Sequence, residues 1–357
     1  MISAETTDRN TQATQVKRSG GKLLPSLGIL LVTGGLILLG WFAYLWFVPI
    51  EAPYQYRQIS TGEVHQYPEL ELDAWPELKI SRYDVIVPGV EKPVAQATVA
   101  QRDNAVPVLV KWQNNTKEIL HALDWKTGEL SALAKAISQY ADKEALIVAW
   151  WDISRQINLL TGHETLFTSH LNEPLIIPQQ WQEVVEAIDT YEQTFWQSKS
   201  SQQELAQFKR FSEALTARPE EGVVQLRELV GQNREAYIIV HVTDLYKLGL
   251  MYPEKIGVAY QNFPLTGNMH GMINHMKVQL KDNDFDTYTL QSITDTEIRA
   301  YFLSDEQSSE TLLAKMLPFT DKPAPMELEA LQLLYQRGGY WLYKLPGGQE
   351  KETRLVE

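Results

Sequence analysis

Residues 23–50 form one continuous apolar segment, LLPSLGILLVTGGLILLGWFAYLWFVPI, that contains no charged side chain. As a helix with a rise of ~1.5 Å per residue, the segment would extend about 42 Å, more than the ~30 Å hydrocarbon core of a bilayer. A cleaved signal peptide is the alternative, but the segment is too long for one and no small-residue cleavage motif follows it. The sequence therefore predicts a single uncleaved membrane anchor that contacts the lipid bilayer.

The charges on either side of this segment predict its orientation. Lys17, Arg18 and Lys22 precede it, and Glu51 follows it. Because positively charged flanks stay in the cytoplasm, the segment predicts a single-pass protein of a bacterial inner membrane. We expect residues 1–22, which are rich in small polar side chains, to be a disordered cytoplasmic tail, and the rest of the chain to be periplasmic.

The part of the chain that follows the anchor is acidic. Residues 1–50 hold four cationic and two anionic side chains, so the net charge of −13 for the whole chain becomes −15 for residues 51–357. This balance argues against a nucleic-acid partner, since nucleic acids require clustered cations. The sequence has no cysteine, which excludes disulfides, thiolate metal sites and a cysteine nucleophile.

Changes in the apolar pattern predict an α/β fold in several segments. Residues 51–115 hold short β-like runs separated by prolines, which predicts a small β-rich region next to the membrane. From 116 to 347, apolar strands alternate with amphipathic helices, which is typical of a layered α/β domain with a mostly parallel sheet. In GELSALAKAISQY, for example, the helical spacing of the apolar residues predicts the core positions Leu130, Leu133, Ala134 and Ile137. Residues 348–357 form a charged tail.

Polar and aromatic side chains follow two of the predicted strands, ALIVA and YIIV. These candidate ligand-binding residues are Trp151, Asp152, Arg155, His241 and Asp244. Because the carboxyl ends of parallel strands meet at one edge of a sheet, we expect the residues to line a crevice there. Strand alternation predicts that one of the tandem tryptophans, Trp150 and Trp151, packs in the core while the other faces the crevice or a covering helix.

A structural role for the same residues is the alternative interpretation. Asp152 would then cap the following helix, with Ser154 as a second cap candidate, and Arg155 would pair with the aspartate. In the same way, His241 would be a core histidine and Asp244 a helix cap.

The stretch NMHGMINHM concentrates thioether and imidazole groups. Met269, His270 and His275 are candidate ligands for copper, which binds both kinds of group. The two histidines are five positions apart and would not share a helix face, and the methionine spacing also fits an amphipathic core helix. Copper is the one candidate cofactor that the sequence suggests. No motif in the sequence has the residue spacing of a known catalytic site, so the sequence predicts no catalytic residues.

Several segments taken together resemble the hydroxylamine oxidation accessory membrane proteins, the HaoB-type family. These segments are the N-terminal anchor, AWWDISRQINLLTGHETLFTSHL, TDLYKLGLMYP, MHGMINHMK and the RAYFLSDEQ and LLAKMLPF runs. The resemblance spans roughly residues 25–345. It implies an accessory protein of nitrification-type nitrogen metabolism, a binding or assembly partner of the periplasmic octahaem hydroxylamine dehydrogenase, and it supplies no assigned catalytic residues.

A second, local resemblance concerns the WWD sequence at Trp150–Asp152. It is similar to the signature in the soluble domain of oligosaccharyltransferase catalytic subunits. That signature continues with Tyr-Gly, whereas Asp152 is followed by Ile153 and Ser154, and this sequence holds one predicted span instead of a many-span catalytic domain. The alternative function is an envelope enzyme or glycan-binding protein that uses a crevice at Trp151 and Asp152.

Overall fold

The computed structural model describes residues 23–48, 50–117, 126–265, 269–320 and 330–347. The chain divides into two units, one that ends at Ile50 and one that begins at Glu51. The boundary predicted between 115 and 116 falls inside the second unit and stays a prediction. The tails predicted at 1–22 and 348–357 lie outside the described residues.

The first unit contains one long helix, α1, which runs from Leu23 to Phe47. Between Ser26 and Phe47 it is long and apolar enough to cross a membrane, and none of that stretch is buried inside the protein. It is the one helix of this kind in the described part of the chain. A helix that is apolar on all sides and not covered by protein suits lipid better than water.

The second unit is a mixed α/β structure. Its strands are β1 (Gln55–Glu63), β2 (Leu78–Ile86), β3 (Ala95–Arg102), β4 (Val108–Asn114), β5 (Leu146–Val148), β6 (Ala236–His241), β7 (Val258–Pro264), β8 (Thr287–Thr294), β9 (Glu297–Leu303), β10 (Gln332–Arg337) and β11 (Tyr340–Leu345). Its helices are α2 (Thr127–Tyr140), α3 (Trp151–Thr161), α4 (Val185–Phe195), α5 (Gln202–Thr216), α6 (Pro219–Val230), α7 (Asp244–Met251), α8 (Met269–Asp282), α9 (Glu306–Ser309) and α10 (Leu312–Lys315).

Three sheets organise the described strands. The first has the order β1-β2-β3-β4, the second β10-β11-β6-β5 and the third β7-β9-β8. Every pair in the first and third sheets is antiparallel. The second sheet carries the candidate site, because β5 and β6 lead directly into α3 and α7.

The prediction of a mostly parallel sheet is wrong. Among the described strands only β5 and β6 pair in parallel, with Val148 opposite Ile238. On the other side of β6, β11 is antiparallel, and β10 joins it through a tight turn at Gly338, whose φ is 58°. All of β6 is buried. An uninterrupted apolar run indicates a strand that is covered on both faces, but it does not indicate whether the neighbouring strands are parallel or antiparallel.

The local periodicity predicted several elements correctly. In α2 the predicted core positions Leu130, Leu133, Ala134 and Ile137 are all buried. α6 ends at Val230 and is followed by Gly231, whose φ of 98° is a conformation that glycine adopts without strain. These elements follow from local sequence because each buries one face, and the spacing of that face is set within the element itself.

Candidate functional site

The tandem tryptophans lie where β5 passes into α3. β5 ends at Val148 and α3 begins at Trp151. Trp150 and Trp151 are 1% and 4% exposed, and both indole N–H groups donate to the carbonyl oxygen of Glu173, at 3.2 and 2.6 Å. Both rings belong to the core, so the prediction that only one of them packs there while the other faces a crevice or a covering helix is wrong. The strand ends before the pair, and its alternation no longer applies.

Asp152 and Asp244 meet around one buried lysine. The Nζ atom of Lys247 lies 3.3 Å from Oδ2 of Asp152 and 3.2 Å from Oδ1 of Asp244. The three side chains are between 1% and 8% exposed. The parallel pairing of β5 with β6 explains the contact, because it brings the beginnings of α3 and α7 side by side. We call Asp152, Asp244 and Lys247 the lysine cluster.

Each carboxyl group of the lysine cluster has a second, backbone partner. The other oxygen of Asp152 accepts the N–H of Ile153 at 2.6 Å, and that of Asp244 accepts the N–H of His241 at 2.8 Å. The helix caps themselves are Trp150 and Thr243, neither of which accepts a side-chain capping bond. The aspartates are therefore held as ion-pair partners of a lysine and do not occupy the cap positions of the structural alternative.

Burial changes the protonation of the groups at this edge. It raises the pKa of Asp244 from the usual 3.8 to about 6, although the charge of Lys247 and the N–H of His241 act in the opposite direction. Burial, helped by the charge of Lys247, lowers the pKa of His241 from 6.5 to about 3. His241 is therefore neutral at physiological pH, and its ring packs at 4.4 Å from the ring of Tyr340.

The hydrogen-bond partners of Arg155 lie outside the lysine cluster. Its NH1 atom lies 2.9 Å from Nδ1 of His170, and NH2 donates to the carbonyl oxygen of Pro107 at 2.8 Å. Burial, then the charge of Arg155, lowers the pKa of His170 well below its usual range, so the ring is neutral and Nδ1 accepts the bond. The Nε2 atom of His170 lies 3.5 Å from Oε2 of Glu192. The site residues predicted as one crevice thus belong to two buried groups.

The copper prediction falls partly outside the described side chains. α8 begins at Met269, but the side chains of Met269 and His270 are not described. His275 packs beside Phe263, and Met276 is fully buried against the third sheet, as the core-helix alternative expects. In the described part of the chain, no three His, Asp or Glu side chains are grouped to hold a metal. Copper binding stays a prediction.

Three residues of these two buried groups were not predicted from the sequence. Lys247 follows Asp244 by three positions in TDLYKLG. This spacing places the two side chains on one helix face and could have predicted their ion pair. His170, which contacts Arg155, and Glu192, which lies beside His170, are in segments far from α3, and nothing in their local sequence indicates these contacts.

Comparisons with known proteins give one extended match. The sequence profile of the family described as "HaoA-associated protein HaoB" matches residues 20–345. No curated protein sequence matches the chain. Among solved structures, the C-terminal domain of PglB from C. jejuni is similar with a TM-score of 0.34 and 10% identity, over 60% of this chain and 98% of that chain.

Proposed function

The chain belongs to the HaoB family of HaoA-associated proteins, and from that membership we propose that it is a membrane-anchored periplasmic accessory protein that binds hydroxylamine dehydrogenase. Membership makes it a protein associated with hydroxylamine oxidation. The main support for the proposal is the extent of the match, because residues 20–345 include all of α1 and nearly all of the second unit. The family match includes the apolar helix, and this supports an accessory role at the membrane surface.

We expect a fusion of alkaline phosphatase to the C-terminus of the full chain to be active in cells. The cations before α1 favour a cytoplasmic N-terminus, and the phosphatase folds only on the periplasmic side. The same fusion made with green fluorescent protein is the control and should be dark. N-terminal sequencing should place the mature start before Leu23. A mature protein that begins after Pro49 would contradict the anchor.

The charge of the folded unit supports docking to a basic surface of the dehydrogenase. Residues 51–357 carry a net charge of −15. Opposite charges steer two proteins together and fix their orientation, and salt weakens this attraction. A complex built in this way should therefore depend on ionic strength.

Affinity purification of the full chain in detergent, from cells that also make the dehydrogenase, tests the partner. We expect haem absorbance to co-elute at about 0.05 M salt and most of it to be lost at about 0.5 M, where charges are screened over a few Å. An unrelated acidic protein with one periplasmic anchor, tagged in the same way, is the control. A low-salt eluate with no more haem than this control would overturn the proposal.

A further inference from the structure

A cleft of about 270 Å³ lies between α3 and the turn that joins β3 to β4. Arg102, at the end of β3, and Arg155, in the middle of α3, both line it, and Val106 lines it from the turn. None of its lining side chains is acidic. Two arginines with no acidic side chain beside them in the lining stand out in a unit of net charge −15, and such a lining favours an anion.

Arg155 is a buried cation that no carboxylate of the described residues contacts directly. It is 4% exposed, and no carboxylate of the described residues lies within ion-pair distance of it. Its bonds go to neutral acceptors on His170 and Pro107, and its Nε atom has no hydrogen-bond partner among the described atoms. Burial lowers its pKa to about 10, although the charges of Asp152 and Glu204 act in the opposite direction, so the group stays charged at neutral pH. A buried charge with no contacting counter-ion is costly, and a bound anion would reduce that cost.

Arg102 supplies the second cation from the opposite wall. Its side chain is 34% exposed, and its NH2 atom lies 2.8 Å from Oε1 of Glu77 and 3.3 Å from the carbonyl oxygen of Leu160. Its Nε atom, like that of Arg155, has no hydrogen-bond partner in the described part of the protein. Both guanidinium groups therefore keep donor capacity beside the cleft.

We propose that this cleft binds a small planar oxyanion of the nitrite, nitrate or formate type between Arg102 and Arg155. A guanidinium group presents its N–H donors in one plane, which matches two oxygens of a planar anion. The cleft is smaller than most sites for drug-sized ligands, which favours an anion of a few atoms with its water. The choice of nitrite among these anions rests on the proposed function, because oxidation of the hydroxylamine nitrogen yields nitrite.

Equilibrium dialysis of the full chain in detergent against nitrite, at constant ionic strength, measures this binding. We expect nitrite to be retained, to be displaced by nitrate and formate, and not to be displaced by equal chloride. Arg102→Gln should weaken retention at least about tenfold, since it removes a charge-assisted partner. Arg82→Gln is the matched control, because Arg82 is 27% exposed on β2, pairs with Glu69 and has the same unpartnered Nε.

A second pair of variants leaves both arginines in place, so that loss of folding cannot imitate loss of binding. Val106→Glu puts a negative charge at the cleft and should abolish retention with an unchanged melting temperature. Val90→Glu, in the turn between β2 and β3, is its control, as the two valines are 39% and 45% exposed.

The outcomes separate the site from the proposed function. No retention of any planar anion by the wild type, or equal loss in a variant and its control, would overturn the site. Retention of nitrate and formate but not nitrite would support the site and overturn its link to hydroxylamine oxidation. Nitrite retention by a protein that does not co-purify with the dehydrogenase would support the site and overturn the docking role alone.

Discussion

Replacement of Lys247 by methionine is expected to lower the free energy of unfolding by about 3–5 kcal/mol at neutral pH. Lys247 is the shared partner of Asp152 and Asp244, and all three side chains are buried. Without its ammonium group, two carboxyl groups face each other in a medium of low dielectric constant. Denaturant unfolding of the full chain in detergent, followed by tryptophan fluorescence, measures the loss, and Trp150 lies 4.8 Å from Nζ as a local reporter.

Lys315→Met is the matched control for this variant. Lys315 is 5% exposed, but its partner Glu310 is 48% exposed and regains water when the lysine is lost, so the expected cost is about 1 kcal/mol. Equal losses in the two variants would contradict a special role for the lysine cluster. Addition of Asp152→Asn and Asp244→Asn to Lys247→Met should recover stability, because it removes the uncompensated charges.

The lysine cluster also predicts how stability changes with pH. Asp244 has a folded pKa of about 6 against 3.8 in the unfolded chain, so its contribution is present below about pH 4 and is lost as the pH rises through 6. His241 has a folded pKa of about 3 against 6.5, so its contribution is present above 6.5 and is lost as the pH falls through 3. The deficit of Lys247→Met should therefore shrink from pH 7 to pH 5, as Asp244 becomes protonated. A deficit that grows over this range would contradict the assignment.

The location of most elements was predictable because it depends on local spacing. The predicted strand ALIVA contains β5, the predicted strand YIIV lies within β6, and the helix pattern at Leu130 and Ile137 is α2. The pairing directions were not predictable in this way. Apolar runs do not distinguish a parallel from an antiparallel neighbour, and the hairpin at Gly338 that makes β11 antiparallel to β10 comes from the far end of the chain.

The candidate site was predictable only where it depends on neighbouring strands. Asp152 and Asp244 do meet, because β5 and β6 form the one parallel pair of the described sheets. Arg155 follows Asp152 by three positions, but its side chain turns to His170, in a loop that the helix pattern cannot place. Long-range packing decides such contacts, and a single sequence carries no local signal for them.

Glu192 joins three segments that are distant in sequence. It is 0% exposed, and its Oε1 atom accepts bonds from the hydroxyls of Tyr54 and Tyr56, the second at 2.7 Å. Its Oε2 atom accepts the indole N–H of Trp196 at 2.6 Å and lies 3.5 Å from Nε2 of His170. Burial, then the charge of Glu192, raises the pKa of both tyrosines well above 10, so their hydroxyls remain donors.

We expect Glu192→Leu to lower the free energy of unfolding of the full chain by about 3–5 kcal/mol, because three buried donors lose their acceptor and each costs about 1–3 kcal/mol when unsatisfied. Glu192→Gln should cost less, since the amide keeps one acceptor oxygen for the indole of Trp196. The exposed Glu186 lies on the same helix, so Glu186→Leu should stay within about 0.5 kcal/mol of the wild type. Unfolding of Glu192→Leu at the same denaturant concentration as Glu186→Leu would contradict this role of the carboxyl group. The contact between α4 and the first sheet would then depend on apolar packing around Trp196.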